Sequence, residues 1–263
     1  MTKQLMIYER AVPVSSERHR DWSVRSGSNF GFAREVNSVP LLAAEFTAAA
    51  TDLTIVFAGD EQTIFPSVIL GMRSNRNDHV DSDGKWTGGY VPAFLRRYPF
   101  VFARSGDGRT FTLCIDEEYD GFNKEGRGER LFDSEGKRTQ YLQTMLNFTR
   151  EYQNLFDRTQ LFCRRLKEHD LLQQAQANFN LPDGERAQLG GFYTINREKL
   201  KALAPEILAE LAKTDELELC YVHLQSLNNL TPMARRVSAA APKTNDAGEA
   251  ASPPKPRKRA SES

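Results

Sequence analysis

Apolar positions along the chain follow two periods, and the switch between them predicts the architecture. Upstream they come in short β-branched or aromatic runs: Leu53-Thr54-Ile55-Val56-Phe57, Ser67-Val68-Ile69-Leu70-Gly71-Met72, Phe100-Val101-Phe102-Ala103 and Thr110-Phe111-Thr112-Leu113-Cys114-Ile115. Runs of this kind, bounded by Gly, Asp and Ser, predict strands. The first two flank Ala58-Gly59-Asp60-Glu61 and are expected to pair. The last two flank Ser105-Gly106-Asp107-Gly108 and predict a hairpin, with Phe111, Leu113 and Ile115 on one face. One short strand and an irregular entry are expected within residues 4–14, from Leu5-Met6-Ile7-Tyr8 and Val12-Pro13-Val14. From residue 138 to 168 the period lengthens. Leu142, Met145, Leu146, Phe148, Tyr152, Leu155, Phe156, Thr159, Phe162, Cys163 and Leu166 largely keep i, i+3, i+4, i+7 spacing, which predicts one long amphipathic helix.

Local signals fill in the rest. Asn37-Ser38, an early proline and an alanine-rich body predict a helix over residues 39–50. Past a turn at 181–184, a short strand is expected at 190–195, then helices opened by Asn196 and Pro205. Residues 217–227 fit a helical face better than a strand. Together these predict an α+β protein, its mixed, mainly antiparallel sheet from residues 1–120 packed on the long helix, with a small C-terminal α/β unit. Residues 1–236 are expected as one globular domain, with a sheet-rich part at 1–130 and a helical part at 131–236. Beyond them, residues 237–263 are rich in Ala, Ser, Pro, Lys and Glu and are expected to be a disordered tail.

The most constrained stretch is residues 88–102, where Gly88-Gly89 bends the chain and Pro92 suits the first turn of a short helix that Pro99 stops. Arg96 and Arg97 lie inside it. They either pack their stems and pair with local carboxylates, or form a guanidinium clamp for an anion, faced by Trp86 or Tyr90. Glu45 belongs either to an exposed stripe or to a buried partner of these arginines. Residues 116–120 pack four acids into five positions. Such a run is a solvated turn, or a place where the carboxylates, Asp116 and Asp120 among them, bind a cation, raise one another's pKa or meet arginines. His223 is a lone histidine, more in keeping with a helix face or core than with acid–base work, which needs a partner. The candidate binding set is therefore Glu45, Trp86, Tyr90, Arg96, Arg97, Tyr98, Asp116, Asp120 and His223, with no catalytic residue assigned.

Composition narrows the function. With 263 residues, 40% hydrophobic and 27% charged, the chain can bury an ordinary core. Its 35 basic and 35 acidic residues exclude a general electrostatic footprint for nucleic acid or anionic membrane. Weak nucleic-acid contact is expected only through Lys255, Arg257, Lys258 and Arg259. The first ten residues lack the apolar core of a signal peptide, and no later run spans a bilayer, so a soluble, cytoplasmic protein with no membrane insertion is expected. Cys114, Cys163 and Cys220 are widely spaced and expected as buried free thiols. Asp78, Asp81 and Asp83 invite comparison with a calcium loop, but His79 and Tyr90 stand where its first Asp and closing Glu belong, so no metal is expected. No cofactor motif is present.

Several strings resemble the bacterial SapC family across roughly residues 5–233. The specific one is Tyr90-Val91-Pro92-Ala93, followed by Arg96-Arg97-Tyr98-Pro99-Phe100. Val39-Pro40-Leu41, Glu45-Phe46, Asp83-Gly84-Lys85-Trp86, Leu131-Phe132-Asp133, Gly191-Phe192 and residues 223–227 support it. The resemblance implies a surface-array protein, in a family whose members are often labelled peptide transporter permeases. The chain is expected to depart from both labels, since its first ten residues carry no signal-peptide core and no later run is apolar enough to span a bilayer. Members encoded beside flavin-dependent tryptophan halogenases and TonB-dependent receptors imply an accessory role in uptake or modification, with a protein partner. No catalytic residue is carried over.

Overall fold

The computed structural model describes residues 7–25, 27, 29–60, 63–104, 110–180 and 186–239. The expectations for residues 4–6, the turns at 105–108 and 181–184, and the tail beyond residue 239 lie outside the described residues; residues 237–239, expected in the tail, instead end the last described helix, Leu230–Ala239.

The chain starts along β1 (Ala11–Pro13), α1 (Ser16–His19), β2 (Ser23–Val24) and β3 (Ser38–Pro40). A 3-10 turn at Ala43–Glu45 runs into α2 (Phe46–Ala49), then β4 (Thr54–Ala58) and β5 (Phe65–Ile69). Next come α3 (Ala93–Arg96), β6 (Phe100–Arg104), β7 (Phe111–Asp116), β8 (Phe122–Asn123), β9 (Glu129–Arg130) and α4 (Gln140–Glu168). The chain continues through β10 (Leu172–Asn180), β11 (Arg186–Ile195), α5 (Arg197–Lys201), α6 (Pro205–Lys213), α7 (Glu216–Ser226) and α8 (Leu230–Ala239).

The class is α+β, and every described strand pairing is antiparallel. The largest sheet has five strands in the order β10-β11-β4-β5-β3, so strands from both halves of the chain build it. Phe192 and Tyr193 of β11 pair with Ala58 and Phe57 of β4. Smaller sheets have the orders β1-β7-β6 and β8-β2-β9. The expected pairing of the 53–57 and 67–72 runs is seen as β4 with β5, and the expected hairpin as β6 with β7.

The expected long helix is α4. Thr139 caps it, its Oγ1 accepting from the Leu142 N–H, and Arg165 and Lys167 occupy its last turn, where the helix dipole favours cations. Its buried face includes Tyr152, Phe162 and Leu166, with Phe162 packed 6.1 Å from Phe46 and 6.4 Å from Phe57, centroid to centroid. Each such ring contributes about 1.5–3 kcal/mol by leaving water. Thr159 adds a polar anchor: its Oγ1 accepts from the Ala43 N–H at 2.9 Å, fixing the 3-10 turn that carries Glu45.

Two local expectations are corrected. The helix predicted over residues 39–50 is confined to the 3-10 turn and α2. Residues 38–40 are instead a strand, because Val39 is buried against β5 and Pro40, lacking an N–H, is tolerated at a sheet edge. β10 had no predicted counterpart, since between Leu172 and Phe179 it carries only small alanines among amides, which give a faint period-2 signal.

Candidate binding site

The two arginines leave α3 in different directions, because successive residues on a helix are about 100° apart. Arg97 turns inward and is 2% exposed. Its guanidinium lies 4.3 Å from the ring centroid of Tyr152, 4.7 Å from Phe94 and 5.8 Å from Tyr8. Arg96 turns outward, its side chain 45% exposed. Its Nε donates to the Val91 carbonyl at 3.1 Å and its Nη2 to the Tyr90 hydroxyl at 3.3 Å, while the guanidinium lies over Tyr90 and Phe148.

Glu45 organises the start of this helix. It is buried, which corrects the exposed-stripe alternative, and its Oε1 accepts from the Tyr90 hydroxyl and the Ala93 N–H, both at 2.7 Å. Its Oε2 accepts from the Leu42 N–H at 3.0 Å. The Arg96 Nη2 stands 3.9 Å from the same carboxylate. A carboxylate with these donors at the first N–H of α3 serves as its cap. Burial, and then the neighbouring Glu45 charge, push the Tyr90 hydroxyl pKa up, so it stays a neutral donor.

Asp116 is likewise enclosed, which corrects the solvated-turn alternative for the start of the acidic run. It accepts from the Glu9 and Arg10 N–H groups at 2.9 Å each and from the Tyr98 hydroxyl at 3.2 Å. Glu117, its side chain 2% exposed, accepts from Arg10, Arg18 and the Nε2 of buried His19. Burial opposes its ionisation, but hydrogen bonds from Arg18, Arg10 and His19 outweigh that and bring its pKa down to about 2. Asp120 is exposed.

Outside Arg96 the surface opens into a cleft of about 180 Å³, between Gly27, Asn29, Phe30 and Phe32, the turn after α3, Tyr119 and the first turns of α4. Phe30, Phe32, Tyr98, Tyr119, Tyr141 and Met145 line it, with Arg96 at its edge. The rings hold one another in place: Phe32 stacks on Tyr98 at 4.1 Å, and Tyr119 meets Tyr98 edge-on at 5.2 Å. Tyr98 and Tyr119 spend their hydroxyls on Asp116 and the Arg25 carbonyl. What remains for a ligand is aromatic surface and a cation.

Trp86 is one ring away, 5.7 Å from Phe30, and stacks on His79 at 5.3 Å. A Cβ on Gly88 would come within 2.8 Å of both His79 Nδ1 and Trp86 Nε1, so only glycine lets the bend approach these rings. His223 is elsewhere in the core, 5.0 Å from the Phe57 ring, its Nε2 accepting from the Ile195 N–H at 3.1 Å. Burial lowers its pKa to about 4. The structure therefore groups Glu45, Tyr90 and Arg96, joins Tyr98 to Asp116, and leaves Asp120 and His223 apart from that group. Cys163 and Cys220 are buried, with thiol pKa values pushed up to about 12, and so are poor nucleophiles.

Sequence reasoning missed Tyr119, Tyr141 and Met145 as cleft residues, and Tyr8 and Tyr152 as neighbours of Arg97; it offered arginines as partners of the 116–120 acids, which Glu117 finds in Arg10 and Arg18, but did not name them. Tyr141 and Met145 were absorbed by the helix pattern; Tyr119 was masked by the acids around it. The usable signal was tyrosine itself at positions expected to be buried, since its polar tip demands a partner.

The family model for SapC matches residues 14–233. The chain belongs to the SapC family. No curated protein and no solved structure matches it. No helix among the described residues is long and apolar enough to cross a membrane.

Proposed function

We propose that this chain is a soluble accessory protein that binds a protein partner through the aromatic cleft beside Arg96. The observation that carries the reading is the contrast between committed and open groups. Glu45, Asp116, Glu117 and His223 are enclosed and hold internal hydrogen bonds, while the cleft presents half-buried ring surface and a guanidinium that stays 45% exposed beside its bonds to Val91 and Tyr90. Its volume of about 180 Å³ suits one ring-sized side chain rather than a whole drug-sized ligand. A segment inserting one phenylalanine or proline ring, with a carboxylate near Arg96, matches that chemistry. In this reading the domain of residues 1–236 works in the cytoplasm beside an uptake or modification system, as the family resemblance implies. Nucleic-acid contact stays confined to Lys255, Arg257, Lys258 and Arg259.

The test is a titration of isotope-labelled protein, followed by NMR, with short peptides carrying one phenylalanine or proline next to a glutamate. Shifts should concentrate on Phe32, Tyr98, Tyr119 and Met145 and weaken in Arg96→Ala. Shifts that ignore the cleft, or none at all, would overturn the proposal.

A further inference from the structure

The two edges of the five-stranded sheet are built in opposite ways. β3 has three residues, ends on Pro40 and passes at once into a turn, so it offers little to an incoming strand. β10 has nine residues, with no charge and no proline among them. Among the described residues its only strand partner is β11.

The one irregularity in that pairing lies on β11. Between the pairs Ala175 with Phe192 and Ala177 with Leu189, Gln176 alone faces Gly190 and Gly191. Gly191 adopts φ 74°, and a Cβ there would meet nothing within 4 Å, so glycine serves the bulged backbone rather than close packing. The extra residue is therefore taken up by the inner strand. The outer strand keeps a regular run of backbone donors and acceptors, unprotected by the charges, prolines or bulges that usually blunt an edge.

We propose that β10 is the docking surface for a second copy of this chain, paired antiparallel across a two-fold axis so that two five-stranded sheets join edge to edge. Self-complementarity selects a second copy. With the axis at Gln176, Gln174 faces Asn178 of the partner subunit and Ala175 faces Ala177 of the partner subunit. Each amide carries a donor and an acceptor and so can pair with another amide, whereas a charged residue on the axis would meet its own charge. Gln173 and Gln176 use one lone pair of their amide oxygens within the subunit, accepting from Asn196 at 2.7 Å and Gln188 at 3.4 Å, which leaves the second lone pair and the amide N–H groups for a partner. Ala175, Ala177 and Phe179 pack toward Phe192 and Met233, anchoring the strand from within.

Sedimentation velocity on the full chain, from about 1 to 100 µM, should show a monomer–dimer equilibrium. Gln176→Lys sets two ammonium groups at the axis and should weaken the dimer by about tenfold or more, with unchanged circular dichroism and with thermal unfolding unchanged at concentrations where the parent chain is monomeric. Gln176→Cys should oxidise to a covalent dimer, since paired Cα atoms across an antiparallel ladder lie about 4.5–5.5 Å apart. Glu151→Cys, on exposed α4 surface, should not. A chain monomeric throughout with Gln176→Cys unlinked overturns the proposal. So does a dimer indifferent to Gln176→Lys, which places the interface elsewhere, or one that appears only after removal of residues 240–263, which makes the tail the occupant.

Discussion

Arg96 and Arg97 are adjacent in sequence and end in regions of opposite construction. Around Arg97 three rings enclose the guanidinium and Asp116 gathers backbone donors from the N-terminal segment, so polar groups are spent on holding the fold. Around Arg96 the half-buried rings support one another and line an open cleft. The contrast teaches that the same residue type serves as a keystone or as a contact depending on about 100° of helix rotation. It also shows why conserving charge is not enough on the buried side: a planar guanidinium spreads its charge across ring faces in a way an ammonium does not.

The largest expected effect is on that buried side. Arg97→Ala should cost about 3–5 kcal/mol in chemical denaturation, as expected when a buried charged residue is cut out of its network. Arg97→Lys should still lose about 1–3 kcal/mol. A loss below about 0.5 kcal/mol, the range typical of surface substitutions, would break the comparison by making Arg97 a surface-like residue.

Next is a pH effect that places His223 with the closed region. Its folded pKa of about 4 lies below the ordinary 6.5, so the unfolded chain takes up the proton first. The stabilisation is complete above pH 6.5 and is lost as pH falls toward 4, to a total of about 3 kcal/mol. His223→Leu should flatten that part of the stability–pH profile while lowering stability at neutral pH, because the Ile195 N–H loses its acceptor. Glu117 adds a second acid step, its contribution present above pH 4.5 and lost toward about 2. A profile flat from pH 7 to 4 in the parent protein would contradict the His223 assignment.

Asp116→Asn should cost about 2 kcal/mol, since an amide offers one acceptor oxygen where the carboxylate offers two to the Glu9 and Arg10 N–H groups and Tyr98. The smallest effect on stability is Arg96→Ala, within about 0.5 kcal/mol, because its side chain is 45% exposed and its bonds are at the rim. Equal losses for Arg96→Ala and Arg97→Ala would erase the distinction between the regions.

How much of this was legible followed from how local each signal was. The α4 pattern repeats over many turns, and β4–β5 and β6–β7 are runs flanked by turn residues, so all were readable. The 39–50 helix was overread because alanines and an early proline favour helix locally, while the pairing of Ser38 with Ile69 and Val39 with Val68 is a long-range fact. β10 was invisible for the same reason, its strand character coming from Tyr193 and Phe192 across the ladder. At the site, the Gly88-Gly89 bend and the Pro-flanked helix named Tyr90, Arg96, Arg97 and Tyr98. Nothing in spacing could say which arginine faces inward, since that depends on Tyr8 near the start of the chain and Tyr152 in the middle of α4.

The most direct test of the central claim is photo-crosslinking in the native cell, with a benzophenone amino acid in place of Met145 at the cleft wall. The account predicts one discrete protein adduct that disappears when Arg96→Ala is added, although stability barely changes. An adduct that survives Arg96→Ala, or one formed equally from Glu151 on the exposed face of α4, would contradict it.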